Sequence, residues 1–235
     1  MNKSIKNETN ILSIKQSDQF RTVEELIIKS QPGSVYYTFL ILAAIIIAAG
    51  LLMENVFIVI GGMLVAPVLT PILAIALGLS IGDIKPIKNV YMLLLKSIVI
   101  VILTSIIMAF VLGLPKVTPI FENTMRTAIL YFIVALASGI AATFAWVRKE
   151  NSEAITGIAI AITLVPPLSL IGIAISIFNA PLMHFNFLVF AFNFLGITLG
   201  SLVAFSLLKF HKSEKKLQET EKKIESQKKD KPRNK

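Results

Sequence analysis

The chain contains no cysteine. Disulfides, thiolate metal sites and a thiol nucleophile are therefore excluded. Carboxylates are missing from the middle of every long apolar run. An intramembrane aspartyl dyad or carboxylate proton relay thus has no groups to build it. The two histidines, His184 and His211, stand at opposite ends of the last such run and cannot pair with each other. No G-x-x-x-x-G-K-[ST] loop is present, which removes nucleotide hydrolysis by that route. With these groups absent, the expectation is a protein that is not an enzyme and carries no cofactor.

Charge as a whole is scarce and unevenly placed. Only 16% of residues are charged and 55% are apolar, whereas soluble domains carry about a quarter charged residues. Most of the charge lies in the first 34 residues and from Lys209 onward. Between these ends come six apolar runs of the roughly 20 residues needed to cross a bilayer. The first begins only at Val35, behind a charged, amphipathic stretch, so it does not read as a signal peptide. A net charge of +9 would suit a nucleic-acid binder, but eleven of the 23 Lys and Arg fall from Lys209 onward. That clustering describes a basic tail, 211–235, facing anionic lipid of the bilayer. No nucleic-acid partner is expected.

The N-terminal segment, 1–34, carries one helical signal. Thr22-Val23-Glu24-Glu25 reads as a capping box, with Phe20, Val23 and Ile27 on one face. Pro32-Gly33 ends it. The membrane domain, 35–210, divides into spans at about 35–53, 56–81, 90–114, 127–147, 154–178 and 185–210. Trp146 with Arg148-Lys149 forms an interfacial anchor. Five Lys or Arg precede the first span, and Lys85, Lys88, Arg148, Lys149 and the tail fall on the same side. The opposite side holds Lys116 and Arg126. The positive-inside rule then places both termini in the cytoplasm.

A shift of 96 residues lays Glu54-Asn55 on Glu150-Asn151, Gly61 on Gly157 and Pro71 on Pro167. The chain therefore reads as an all-α integral membrane protein of about six transmembrane helices, with halves 35–114 and 127–210. Three spans per half is an odd number, so the second half enters from the opposite side. This is the inverted 3+3 repeat of many secondary transporters, whose sites lie between paired discontinuous helices.

The two middle spans carry the interruptions. A proline removes one amide donor and frees a carbonyl one turn earlier, and in hydrocarbon such groups need partners from protein or water. Gly61, Gly62, Pro67, Thr70 and Pro71 mark one break; Thr163, Pro166, Pro167 and Ser169 mark the other. Two such breaks meeting at mid-bilayer would present half-helix ends and uncharged hydroxyls to an ion or small polar solute. Asn193 adds a buried amide suited to bonding across helices. Lys96 lies near enough to the cytoplasmic surface to snorkel. Gly196-Ile-Thr-Leu-Gly200 is a literal GxxxG, a helix-packing or homo-oligomer face.

Ile60-Gly61-Gly62-Met63-Leu64-Val65-Ala66-Pro67, with Pro71 and Leu77-Gly78-Leu79, resembles the signature stretch of the family known as domain of unknown function 389. Val134–Ala141, Leu164–Leu168 and Asn193–Ile197 are similar to its other blocks, in the same order. The resemblance implies a multi-span protein of the bacterial inner membrane and supplies no substrate or catalytic residue. The leading expectation is a secondary transporter or channel-like permease for a small solute or ion. The alternatives are a membrane scaffold or regulator acting through the tail, and a lipid-handling protein.

Overall fold

The computed structural model describes residues 14–82, 85–113, 125–148 and 164–210, together with Glu219 and Lys222. Among these residues the chain is all-helical, with eight helices and no strand. They are α1 (Gln16–Lys29), α2 (Ser34–Leu52), α3 (Val56–Val65), α4 (Leu69–Ile81), α5 (Lys85–Leu112), α6 (Met125–Arg148), α7 (Val165–Ser176) and α8 (Ala180–Leu207). Four are long and apolar enough to cross a membrane: α2, α5 over Asn89–Leu112, α6 and α8. Together α3 and α4 pass the same test, bent by 55° between them, while α7 is a shorter apolar helix. The protein is therefore a multi-pass membrane protein. Thr163, Gly157, Glu150-Asn151, the first half of the expected fifth span and nearly all of the basic tail lie outside the described residues.

The bend has a local cause. Proline restricts the residue before it to extended conformations, and Ala66 sits at φ −70°, ψ 121°. Helix α3 therefore stops at Val65, and α4 restarts at Leu69. Pro71 does not break anything: it is the third residue of α4. Pro166 and Pro167 likewise occupy the second and third positions of α7. In a first helical turn the amide has no intrahelical partner to lose, so proline is tolerated. Of the four prolines expected to interrupt helices, Pro67 ends one and the other three stand at helix starts.

The α2–α3 connection is a Schellman turn. Glu54 takes the left-handed position at φ 53°, with Glu54 N donating to Leu51 O (3.3 Å) and Asn55 N to Gly50 O (2.8 Å). Asn55 then caps α3, its Oδ1 accepting from Phe57 N and Ile58 N. The same device recurs between α7 and α8. Phe178 is left-handed, Asn179 N donates to Ala174 O, and Asn179 Oδ1 accepts from Leu182 N.

Glycine sets the closest helix approaches. A Cβ on Gly62 would lie 2.6 Å from Ile47 Cγ1, and one on Gly50 2.8 Å from Val59 N, so α2 and α3 form a tight hairpin. Between α6 and α8 the backbones nearly touch: a Cβ on Gly139 would strike Ile197 O, and one on Gly200 would strike Leu136 O. The Gly196–Gly200 pair therefore packs against α6 within the chain, the helix-packing alternative of the two that its GxxxG spacing offered. Ser201 Oγ adds a 3.1 Å bond to Gly139 O across this seam. Other buried hydroxyls, at Ser97, Ser105, Thr143 and Ser176, return to the carbonyl four residues earlier. Such bonds satisfy polar groups where water is absent.

Helix α1 starts well before the expected capping box. Thr22 lies mid-helix, its hydroxyl donating to Asp18 O (2.7 Å). Val23, Leu26 and Ile27 are buried against the bundle, where α1 packs on α4 and α6. Arg21 Nη2 donates to Val147 O (2.9 Å) and Gln19 Nε2 to Leu208 O (2.8 Å). These carbonyls belong to the C-terminal ends of α6 and α8, which lack intrahelical donors and carry partial negative charge. Met92, Val99, Leu103 and Ile107 of α5 are exposed at helical spacing, as a lipid-facing stripe requires. Lys96 is exposed beside that stripe.

Candidate solute cavity beside the helix break

The largest cavity among those described has a volume of about 530 Å³. The α2–α3 turn lines it through Gly50, Leu51, Glu54 and Asn55. One wall is α3, through Val56, Val59, Ile60 and Met63. The others are Tyr131 of α6, Phe185, Asn186 and Val189 of α8, and Pro166, Pro167 and Leu170 of α7. Met63 belongs to the last turn of α3 before the break, and the two prolines to the first turn of α7. A smaller cavity of about 200 Å³ holds Val68, just after the break, together with Leu168 of α7. The end of α3 and the beginning of α7 thus border the same space.

The expected site residues divide. Pro166 and Pro167 line the cavity. Gly62 is consumed in packing on α2, and Gly61 faces outward with nothing within 4 Å of an added Cβ. Pro67 makes the bend, and Pro71 is buried in the first turn of α4. Thr70 is half-buried on α4. Ser169 is fully buried, and its hydroxyl has no hydrogen-bond partner among the described residues. Asn193 is buried and engaged. None of these seven lines the cavity, because helix rotation, which a break in sequence does not specify, points them elsewhere.

The sequence reading overlooked Asn186, Tyr131 and Met63 and assigned Glu54-Asn55 to the repeat only. A signal existed for Asn186: it precedes Asn193 by seven residues, two helical turns on the same face. Asn186 is 3% exposed, and its Nδ2 donates to Leu182 O (2.8 Å) in its own helix.

The helix ends around the cavity are electrically unlike. Carbonyls in the last turn of α3 lack helical donors, giving that end partial negative character. The start of α7 has partial positive character, but Pro166 and Pro167 carry no N–H, so few donors point outward there. The amides opening α3 are already bonded to Asn55. The arrangement can enclose a molecule of modest size in an apolar wall that includes a carboxylate.

Residues 63–199 match the family described as Domain of unknown function (DUF389). An uncharacterized protein of Methanocaldococcus jannaschii is 30% identical over 167 residues, which are 71% of this chain and 52% of the relative. The chain thus spans about half the length of that protein. No solved structure matches.

Proposed function

The chain belongs to the domain of unknown function 389 family, and we propose that it is a secondary transporter or channel-like permease for a small solute or ion. The observation that carries this reading is the shared cavity, which Met63 at the end of α3 and Pro166-Pro167 at the start of α7 line together. Half-helices ending in the membrane interior at one cavity are how many transporters build a substrate site. The reading includes six spans as two inverted halves, 35–114 and 127–210, in a cytoplasmic membrane. Both termini are cytoplasmic, and the tail beyond residue 211 rests on anionic lipid. A second reading, a lipid-handling protein, is supported by the predominantly apolar lining of the cavity. Any homo-oligomer uses a surface other than the Gly196–Gly200 seam.

The absence of cysteine supplies the test. Met63→Cys and Asn186→Cys, each the sole thiol in the protein, are reconstituted in vesicles and treated with membrane-impermeant thiosulfonates from either side. Reaction at both positions is expected for a water-filled permeation path. If neither thiol reacts from either side, the cavity is closed to water and the transport reading fails.

A further inference from the structure

From its lining, we infer that the cavity binds an organic cation with an apolar body, its ammonium held between the Glu54 carboxylate and an aromatic face. The inference rests on the cavity being a solute site and names the class of solute. Among the described residues, Glu54 is the only charged side chain in the lining. It stands on a backbone fixed by the two hydrogen bonds of the Schellman turn, and its carboxylate has no ion pair or hydrogen bond among the described residues. Tyr131 and Phe185 line the same cavity, and the faces of aromatic rings attract alkylammonium groups. Val59, Ile60, Met63 and Val189 complete an apolar wall for the remainder of the molecule.

Other solute classes are poorly served. An anion meets no Lys or Arg among the described lining residues. The helix starts offer it little, because prolines replace two early amides of α7 and Asn55 occupies those of α3. A neutral polar solute would need many hydrogen bonds. Asn186 has committed one amide hydrogen to Leu182 O, and Asn55 Oδ1 is engaged as a cap, which leaves few polar groups for such a solute. What dominates the described lining is a carboxylate, two aromatic residues and hydrocarbon.

The test uses the full chain in nanodiscs of uncharged lipid. Binding is measured by equilibrium dialysis for three probes of one shape: benzyltrimethylammonium, benzyldimethylamine N-oxide with no net charge, and the anion phenylmethanesulfonate. The expected order is cation, then N-oxide, then sulfonate. Asn tolerates left-handed backbone, so Glu54→Asn removes the charge without disturbing the turn. It should weaken cation binding about fivefold, the scale of a partly exposed ion pair, with the aromatic contribution remaining. N-oxide binding should hardly change, and Glu54→Asp should restore most of the cation preference. Equal binding of the three probes, or an unchanged cation preference in Glu54→Asn, overturns the inference while leaving the cavity as a site. Binding of none of the probes also overturns it, and thiol reactivity at position 63 then decides whether the cavity reading falls with it.

Discussion

Gly61 and Gly62 are adjacent on α3 and make a sharp test of the packing described for this protein. A Cβ on Gly61 meets nothing within 4 Å, whereas one on Gly62 lies 2.6 Å from Ile47 Cγ1, 3.0 Å from Ile47 N and 3.2 Å from Ala43 O. On α8, a Cβ on Gly200 runs into Leu136 O, with the Leu136 carbonyl carbon at 3.0 Å and Ile140 N at 3.1 Å. Alanine gains up to about 1 kcal/mol over glycine in a helix interior. Forcing extra volume into a packed seam costs about 1–3 kcal/mol. Gly61→Ala should therefore be neutral to stabilising. Gly62→Ala should fall near or slightly below the parent, because Ile47 Cγ1 can move but the two backbone atoms cannot. Gly200→Ala opposes only backbone atoms and should lose a net 1–2 kcal/mol or so by the same magnitudes. Midpoints of heat-induced loss of monodisperse protein in detergent, read by size exclusion, should rank the variants in that order. Gly200→Ala as stable as Gly61→Ala would refute the α6–α8 seam as drawn.

Other consequences follow from single groups. Ser169→Ala removes a buried hydroxyl without a partner among the described residues and should stabilise the protein by about 1 kcal/mol or more, with thiol reactivity at position 63 unchanged; lowered reactivity would place Ser169 in the site. Pro67→Ala should straighten the α3–α4 bend and reduce reactivity of Met63→Cys, since alanine favours helix by about 3 kcal/mol over proline. Pro71→Ala, in a first turn, should leave that reactivity at the parental level. Leu26→Ala, at a fully buried position of α1, should cost about 2–5 kcal/mol in the same thermal assay. A shift as small as that of an exposed-site control would show that α1 is not docked on the bundle.

The spans were legible because hydrocarbon imposes a single demand, a long run of apolar helix, and α2, α5, α6 and α8 meet it. Their ends were less so. Helix α8 begins at Ala180, earlier than the apolar run suggests, because Asn179 caps it and Pro181 suits a first turn. Helix α1 extends N-terminally past its supposed cap because burial of Val23, Leu26 and Ile27 rewards helix on both sides of Thr22. The prolines revealed where backbone is irregular but not whether a helix stops or starts there. That depends on the residues before them: Ala66, before Pro67, is extended, whereas Val165, before Pro166, is already the first residue of α7. Met63, ahead of the Pro67 break, and Pro166-Pro167 of α7 share one cavity; the rotation that directs Thr70 and Ser169 away from it was not legible.

Glu54 shows why one sequence feature can carry two readings. It was visible as half of a repeated Glu-Asn pair, yet its local role is a left-handed turn position for which glycine is the usual residue. A non-glycine residue there costs about 1 kcal/mol. Strain alone does not mark a site, because Phe178 adopts the same φ of 53° in the corresponding turn, is 96% exposed and lines none of the cavities described. The distinguishing fact is that the Glu54 side chain borders the 530 Å³ cavity. Replacing each by glycine separates the two properties. Phe178→Gly and Glu54→Gly should both relieve the backbone and raise the thermal midpoint by a similar amount. Only Glu54→Gly should reduce the preference for benzyltrimethylammonium over benzyldimethylamine N-oxide. Loss of that preference in Phe178→Gly as well would mean that turn geometry, not the carboxylate, governs the cavity.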